Sequence, residues 1–354
     1  MMDAILKNEE RAVLALRSLY RQYGYLPYKM SRFEEYDLYV RNKDFLVSDQ
    51  IITFSDRRGR LLALKPDVSL SIVKNAPEEP GVVQKVYYNE NVYRDYREIM
   101  QAGLECVGDL GGYEIAEVVL LAAKSLRLLG ERSLLNISHM GLISSVMSGL
   151  TPALQKQAMG CLRRKNLHGL KEICEEFPEV WNKLEKLASC RGSGPVVLAQ
   201  LRTVMTEAQE LKALAELEML WGVLEDGGCG DCVRLDFSVS SDLRYYSGVV
   251  FTGFLDGIPA AVLSGGQYDR LLEKMDRKAR AVGFAIYVDM LQSGNDAVYD
   301  VDTVILHDGT ADPAALMAAS QEAAKNGSVL VTRQLPENRA WRNLIRFGNG
   351  EAKK

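Results

Sequence analysis

The sequence predicts an α+β fold that combines antiparallel strands with helices, a helical insertion in mid-chain and a short C-terminal α/β unit. Three observations indicate it. Residues 82–95 and 98–109 are consecutive segments rich in β-branched and aromatic residues, as expected of an antiparallel pair. Residues 141–228 carry helical patterns and no convincing strand. Strand and helix patterns alternate again over residues 302–347.

The N-terminal elements follow from spacing and turn residues. Residues 3–23 place apolar side chains at helical intervals, and Gly24 ends that pattern. Residues 50–66 ("QIITFSDRRGRLLALKP") predict two strands joined at the Arg-Arg-Gly turn. Asp67 is then the expected N-cap of a short helix.

Later elements are justified in the same way. A long amphipathic helix is predicted over 112–129, followed by a strand at 134–139. Asp256-Gly257 lies between two apolar runs and predicts a hairpin with a two-residue turn. Gly265-Gly266 leads into a short helix, and residues 281–291 predict a strand that runs into a helix.

Composition excludes several classes of protein. The 354 residues have a net charge of −4, so no global basic field indicates nucleic-acid binding. No stretch approaches the roughly 18 apolar residues of a membrane helix, and the charged N-terminus is unlike a signal peptide, so we expect a cytoplasmic protein. We divide the chain into a core at residues 1–295, with its insertion at about 141–228, and a C-terminal unit at 296–354.

The six cysteines do not form the framework of a secreted disulfide-rich protein. Only Cys229 and Cys232 make a C-x-x-C motif, in the glycine-rich stretch "DGGCGDC". Because no second ligand pair and no histidine lie nearby in sequence, a loop with reduced thiols is favoured over a zinc site or a redox pair. We expect no metal and no cofactor.

Polar and aromatic residues point to a ligand site on the sheet. Gln101 and Glu105 are four apart on one predicted strand and therefore share a face, with Arg94 on the neighbouring strand. Such buried polar groups need partners, which a small polar ligand with an amine would supply. The alternative is that Arg94 and Glu105 pair with each other or with loops.

The tyrosines and glycines of "SSDLRYYSGVVFTGFLDGIPAAVLSGGQYDRLL" form the second half of the predicted site. If Tyr245 and Tyr246 lie on a strand, only one of them faces the cleft. The Gly265-Gly266 pair allows a close approach of the backbone, two residues before Tyr268.

Five ordered segments, "LALKPDVSLSIVKN", "VYYNENVYRDYREIMQAGLECVGD", "SSDLRYYSGVVF", "LSGGQYDRLL" and "AVGFAIYVDML", resemble the catalytic core of class II histidyl-tRNA synthetases over residues 5–295. The resemblance implies an antiparallel sheet flanked by helices, a helical insertion and dimerisation through the N-terminal part. It also implies a histidine pocket. The matching residues here are Asp67, Ser69, Arg94, Gln101, Glu105, Tyr246 and Tyr268.

The sequence departs from the synthetase pattern at three places that the family uses to activate histidine with ATP. Arg94 runs almost directly into the next strand, with Tyr96 where the family has an acid and no intervening loop. Ser241 matches the arginine of the family's "RGLDYY" box, and Arg244 replaces its aspartate. Met290 matches the arginine of the last motif. Since removing one preorganised electrostatic donor typically costs about a hundredfold or more in rate, three losses argue against aminoacylation.

The C-terminal unit is also too short for a synthetase's anticodon-binding domain. In its departures from the synthetase pattern and in its short C-terminal unit, the chain resembles the regulatory subunits of ATP phosphoribosyltransferase, a family of synthetase paralogues. That resemblance implies a non-catalytic subunit that joins the short-form catalytic subunit, supports the first step of histidine biosynthesis and its feedback inhibition by histidine, and does not bind tRNA. Two alternatives stay open: a divergent histidyl-tRNA synthetase or amino-acid-activating ligase, and an RNA-binding regulator of translation.

Overall fold

The structure is a computed structural model that describes residues 6–46, 50–190, 192–239, 245–293, 299–348 and 351–353. The chain divides into two compact units, Met1–Gln292 and Ser293–Lys354. No helix in the described ranges is long and apolar enough to cross a membrane.

The first unit begins with a helix, a small sheet and a long hairpin. In chain order these elements are α1 (Asn8–Gln22), β1 (Leu26–Pro27), β2 (Phe33–Glu35), α2 (Tyr36–Arg41), β3 (Thr53–Ser55), β4 (Leu61–Leu64), α3 (Ser69–Val73), β5 (Val83–Arg94) and β6 (Arg97–Gly108). Strands β2, β4 and β3 form a three-stranded antiparallel sheet. Strands β5 and β6 pair antiparallel along their whole length, as the sequence predicts.

The rest of the first unit alternates between sheet and helices. Its elements are α4 (Gly112–Leu129), β7 (Ser133–His139), α5 (Met140–Val146), α6 (Pro152–Arg163), α7 (Leu167–Ile173), α8 (Pro178–Ser189), α9 (Gly194–Arg202), α10 (Ala208–Asp226), β8 (Val233–Leu235), β9 (Val249–Leu255), β10 (Leu263–Gln267), α11 (Asp269–Lys274) and β11 (Arg280–Tyr287). Helices α5 to α10 occupy the predicted insertion, and among its described residues there is no strand.

An eight-stranded sheet runs through the first unit in the order β1-β5-β6-β11-β10-β9-β7-β8. Its inner pairs are antiparallel, and the two outermost pairs, β1 with β5 and β7 with β8, are parallel. Helix α4 is almost entirely buried along its apolar face, and α1 buries Val13, Leu16, Leu19 and Tyr20. The predicted antiparallel sheet flanked by helices is therefore confirmed.

One local prediction was wrong. Strand β10 begins only at Leu263, which pairs with Gly253, so the connection from β9 is longer than the predicted two-residue turn at Asp256-Gly257. Pro259 lies in this connection and lacks the N–H that a strand ladder requires. Gly265-Gly266 lies in β10 and leads into the short helix α11, as the sequence predicts. Strand β11 runs into a short 3-10 helix over Val288–Ser293, so the predicted strand that runs into a helix is also present.

The second unit is a small α/β layer. Its elements are β12 (Val301–His307), α12 (Pro313–Ala324), β13 (Val329–Thr332), β14 (Trp341–Gly348) and β15 (Glu351–Lys353). The strands lie in the order β13-β12-β14-β15, and β12 is parallel to both of its neighbours. The Asp312 carboxylate caps α12 by accepting a hydrogen bond from the Ala315 N–H at 3.2 Å. Strand β15 was not predicted.

Candidate functional site

A cavity of about 300 Å³ opens on the central sheet of the first unit. All seven residues of the predicted site line it: Asp67, Ser69, Arg94, Gln101, Glu105, Tyr246 and Tyr268. The remaining lining residues are mostly aromatic or small: Phe45, Leu46, Val68, Tyr88, Tyr245, Ser264, Gly265, Gly283, Phe284, Ala285 and Tyr287. A few convergent polar groups within an aromatic wall are typical of a small-molecule site.

Secondary structure explains why residues distant in sequence meet here. Gln101 and Glu105 share one face of β6, as their spacing predicts, and both are buried. Arg94 ends the adjacent strand β5, and Ser69 begins α3. Tyr268 directly follows β10, two strands away from β6 in the sheet.

Glu105 is the buried acid of the cavity. The Ser69 hydroxyl donates a hydrogen bond to its Oε1 at 2.6 Å, and the Tyr268 hydroxyl donates to its Oε2. Burial raises the pKa of Glu105 to about 8, although both hydrogen bonds act to lower it, and the nearby Asp67 charge raises it further. Without a neighbouring cation, this carboxyl is therefore largely protonated at neutral pH.

Arg94 lines the same cavity and is held by the loop before α3. Its Nε donates to the Pro66 carbonyl at 2.6 Å, and its guanidinium lies 3.5 Å from the Asp67 carboxylate. Asp67 also accepts a hydrogen bond from the Leu70 N–H at 2.9 Å, but the N-cap of α3 is Val68, one residue after the predicted Asp67. Arg94 thus bonds to the loop before α3, whereas Glu105 bonds to two hydroxyls, so the two do not pair with each other.

Both neighbouring tyrosines line the cavity, so the prediction that only one of them faces it was wrong. The ring centroids of Tyr245 and Tyr246 lie 4.6 Å apart, and Tyr245 lies 5.7 Å from Tyr268. Strand β9 begins only at Val249, so the strict alternation of a strand does not apply at these positions. Tyr245 was therefore missed as a site residue, although an aromatic pair beside the predicted cleft was a usable signal.

Glycines let these aromatic side chains approach the sheet. A Cβ built on Gly266 would lie 2.7 Å from the Tyr246 ring and 2.6 Å from the Val249 carbonyl oxygen. A Cβ on Gly283 would overlap the carboxylate of Glu105. The two glycines face each other in the pairing of β10 with β11, and Gly283 lines the cavity without a side chain.

The connection between β5 and β6 is a two-residue turn. Arg94 pairs with Arg97, and the intervening Asp95 and Tyr96 have φ of 50° and 60°. Two successive left-handed residues are the geometry of a type I′ hairpin turn. The absence of a loop at this point, noted in the sequence, is thus matched by a tight turn, and the Tyr96 side chain is 82% exposed.

Of the other three residues that depart from the synthetase pattern, the structure describes one. Met290 lies in the 3-10 turn after β11 and packs, partly buried, on the main hydrophobic core. Ser241 and Arg244 lie outside the described residues.

A sequence profile of the family described as histidyl-tRNA synthetase matches residues 2–291. The chain belongs to this family. Proteins similar to the chain are named ATP phosphoribosyltransferase regulatory subunit. That of Bacillus subtilis is 27% identical, with 94% of this chain and 89% of the relative covered. That of Moorella thermoacetica is 29% identical, with coverages of 93% and 88%.

Solved structures agree on the fold of the family. An ATP phosphoribosyltransferase regulatory subunit/histidyl-tRNA synthetase from Bacillus halodurans gives a TM-score of 0.78 at 23% identity and covers 96% of this chain and 93% of its own. The histidyl-tRNA synthetase from Nostoc gives 0.72 at 18% identity, with coverages of 93% and 83%. A chain of the ATP phosphoribosyl transferase complex from Thermotoga maritima gives 0.61 at 19% identity, with coverages of 78% and 96%. The class II synthetase-like fold is confirmed.

Proposed function

We propose that this chain is a non-catalytic regulatory subunit of ATP phosphoribosyltransferase, which supports the first step of histidine biosynthesis and its feedback regulation by histidine. The observation that carries the proposal is the name shared by relatives that align with most of this chain and of their own length. The partner is then the short-form catalytic subunit, and the complex works in the cytoplasm without tRNA.

Loss of synthetase activity is the second part of the proposal. Amino-acid activation needs cations against the triphosphate and a loop that closes over the adenylate. The two-residue turn at Asp95 and Tyr96 leaves no chain for such a loop between β5 and β6. Met290 offers no charge where the family has an arginine. Both observations support an amino-acid site without an ATP site.

The cavity is the proposed site for histidine. Its volume of about 300 Å³ suits a small polar ligand. A cationic amine beside Glu105 and Asp67 would stabilise their ionised forms, and the Arg94 guanidinium is placed to receive the ligand's carboxylate. The tyrosines would then enclose the imidazole.

Regulation through this cavity would come from linkage between histidine binding and the arrangement of the complex. If histidine binds one arrangement of the complex more tightly than another, it shifts the population toward that arrangement by its difference in binding free energy. Inhibition therefore requires only that the cavity bind histidine more tightly in the inhibited state than in the active state.

Reconstitution tests this proposal directly. The purified chain, mixed with a short-form catalytic subunit, is expected to raise phosphoribosyl transfer, and histidine is expected to inhibit the mixture. Glu105→Gln should weaken inhibition by tenfold or more in histidine concentration, an effect of about 1.4 kcal/mol or more. The matched control is Glu175→Gln, an exposed site on the insertion that should leave inhibition unchanged. Absence of stimulation contradicts the regulatory role.

The alternative is a divergent synthetase or amino-acid-activating ligase. It is favoured by the family to which the chain belongs and by the complete polar set of the cavity. Histidine-dependent exchange of pyrophosphate into ATP by the purified chain separates the two functions. We expect none above background, and robust exchange would establish the alternative.

Dimerisation through the N-terminal part completes the proposal. One face of the small sheet exposes Phe33 and Phe54, at 45% and 39% of their surfaces. The Phe33 and Phe54 rings pack edge to face with centroids 5.6 Å apart. Exposed apolar clusters of this kind mark interaction surfaces, and a second copy of the chain is the proposed occupant.

A further inference from the structure

Cys229 and Cys232 lie in the turn that joins the last insertion helix, α10, to the edge strand β8. The Cys232 N–H donates to the Cys229 carbonyl at 3.2 Å and closes a 3-10 turn. A closed turn of this kind holds the two Cα atoms within about 7 Å, and a disulfide requires about 4.4 to 6.8 Å. The backbone is thus already close to disulfide geometry.

The two thiols are also electrostatically unequal. The neighbouring Cys232 thiol, which donates to the Cys229 carbonyl oxygen at 3.2 Å, lowers the pKa of Cys229 to about 7, with help from the Arg127 cation and against the effect of burial. The neighbouring Cys229 thiol and burial raise the pKa of Cys232. Arg127, on α4, donates to the Gly228 carbonyl and the Asp231 carboxylate and so anchors the turn. One acidic thiol beside a less acidic partner is the arrangement of a dithiol redox pair.

Both cysteine side chains are almost fully buried. Cys229 is 1% exposed and Cys232 is 6% exposed. Cys232 lines a surface groove of about 820 Å³ together with Arg127, Asp231 and Leu255. Small oxidants therefore approach the pair from the groove beside Cys232. No group of three or more metal-ligating side chains occurs in the described part of the chain, so these thiols have no further ligands there.

We propose that Cys229 and Cys232 are a reversible dithiol site that hydroperoxides oxidise to a disulfide. The Cys229 thiolate attacks the peroxide, so an S–O bond forms, the O–O bond breaks and the leaving alkoxide or hydroxide takes a proton. The Cys232 sulfur then attacks the Cys229 sulfur, and the resulting hydroxide leaves with the Cys232 proton as water. Two thiols and one hydroperoxide give one disulfide, one alcohol or water, and one further water.

This site is separate from the cavity and does not depend on the proposed function. A disulfide would join the end of the helical insertion to β8 and fix the turn against α4, since Arg127 contacts the residues on both sides of Cys229. The oxidation state of the pair would thus control the stiffness of the junction between insertion and sheet.

Mass spectrometry of the full-length chain tests the proposal. The reduced chain, treated with hydrogen peroxide and then alkylated in denaturant, is expected to carry four adducts in place of the six given by its six cysteines. The missing pair should map to a peptide linked between Cys229 and Cys232, and dithiothreitol should restore both adducts. With a thiol pKa near 7, the oxidation rate should fall only about tenfold from pH 8 to pH 6, against about a hundredfold for an ordinary thiol.

Three variants separate the pair from general thiol reactivity. Cys232→Ser should stop oxidation at a sulfenic acid on Cys229, which dimedone traps, and Cys229→Ser should abolish the linked peptide. Cys190→Ser is the matched control, because Cys190 is more exposed but its pKa is raised by burial, and it should leave the linkage unchanged. Circular dichroism confirms folding. Six adducts after peroxide, or consumption of Cys190 before the pair, would overturn the proposal.

Discussion

Glu105 shows how one buried residue can couple the cavity to pH. Its carboxyl lies among aromatic rings and has a pKa raised to about 8, so burial favours the protonated form. A cationic ligand reverses that preference, because it stabilises the carboxylate. Histidine binding near neutral pH should therefore release a proton from Glu105.

The stability of the free chain should depend on pH through the same residue. A carboxyl whose folded pKa lies above its unfolded value stabilises the fold fully below the unfolded pKa, and this stability is lost as pH rises to the folded pKa. From pH 4.5 to about pH 8, the expected loss is up to about 1.4 kcal/mol per pH unit. Glu105→Gln should flatten this slope in thermal unfolding, and Glu175→Gln should not. Identical slopes in all three proteins would contradict the assignment.

Gly266 gives a second prediction at the residue scale. The Ala side chain in Gly266→Ala would meet both the Val249 carbonyl and the Tyr246 ring, so we expect a loss of about 1–3 kcal/mol in unfolding free energy and weaker histidine binding in calorimetry. Gly222→Ala is the control, because open space surrounds this position in α10 and Ala is favoured in helices by up to about 1 kcal/mol. Equal stability of both variants would show that the sheet accommodates the methyl group.

At the scale of elements, the β5–β6 hairpin combines two long paired strands with a tight two-residue turn. Twelve-residue strands pair from Val83 with Gly108 to Arg94 with Arg97. The turn accepts two left-handed residues that are not glycine, a conformation that costs about 1–2 kcal/mol per residue. The long ladder offsets that strain.

Tyr96→Gly should therefore stabilise the protein. Its side chain is 82% exposed, so little packing is lost, and glycine adopts positive φ without steric cost. We expect a gain of about 0.5–1 kcal/mol in denaturant unfolding, after subtraction of the extra entropy of glycine. Tyr96→Ala is the comparison, since it removes the ring but keeps the strained backbone. A gain with Ala equal to that with Gly would assign the effect to the ring.

Periodicity predicted the long elements well because each buries one face. The strands β5 and β6 and the helix α4 were recovered from pattern alone. The connections between strands were harder to predict. Pro259 lengthens the β9–β10 connection despite the turn signal at Asp256-Gly257. The residues before Val249 are not in a strand, so the two adjacent tyrosines both face one cavity. Alternation rules hold only inside a strand, and sequence alone did not show where β9 begins.

At the scale of the whole molecule, the site residues could not be assembled from spacing. Asp67 and Tyr268 are about two hundred positions apart, and only the resemblance to a known family placed them in one pocket. The structure brings all seven together in one cavity. That they bind histidine stays a prediction.

Oligomeric state is the remaining prediction at this scale. Phe54→Glu places a charge beside Phe33 on the exposed face of the small sheet, so we expect light scattering to show a dimer for the wild type and mostly monomer for the variant. Leu128→Glu, at a similarly exposed apolar position on α4 (52%), should remain dimeric. A monomeric wild type, or a dimeric Phe54→Glu protein, would exclude this surface as the interface.

The tight turn at Asp95 and Tyr96 also has a genetic consequence. Two codons separate Arg94 from Arg97, so base substitutions can alter which side chains the turn presents but cannot lengthen it. Any lineage that descends from this gene could gain a covering loop there only through in-frame insertion, an event much rarer than point mutation.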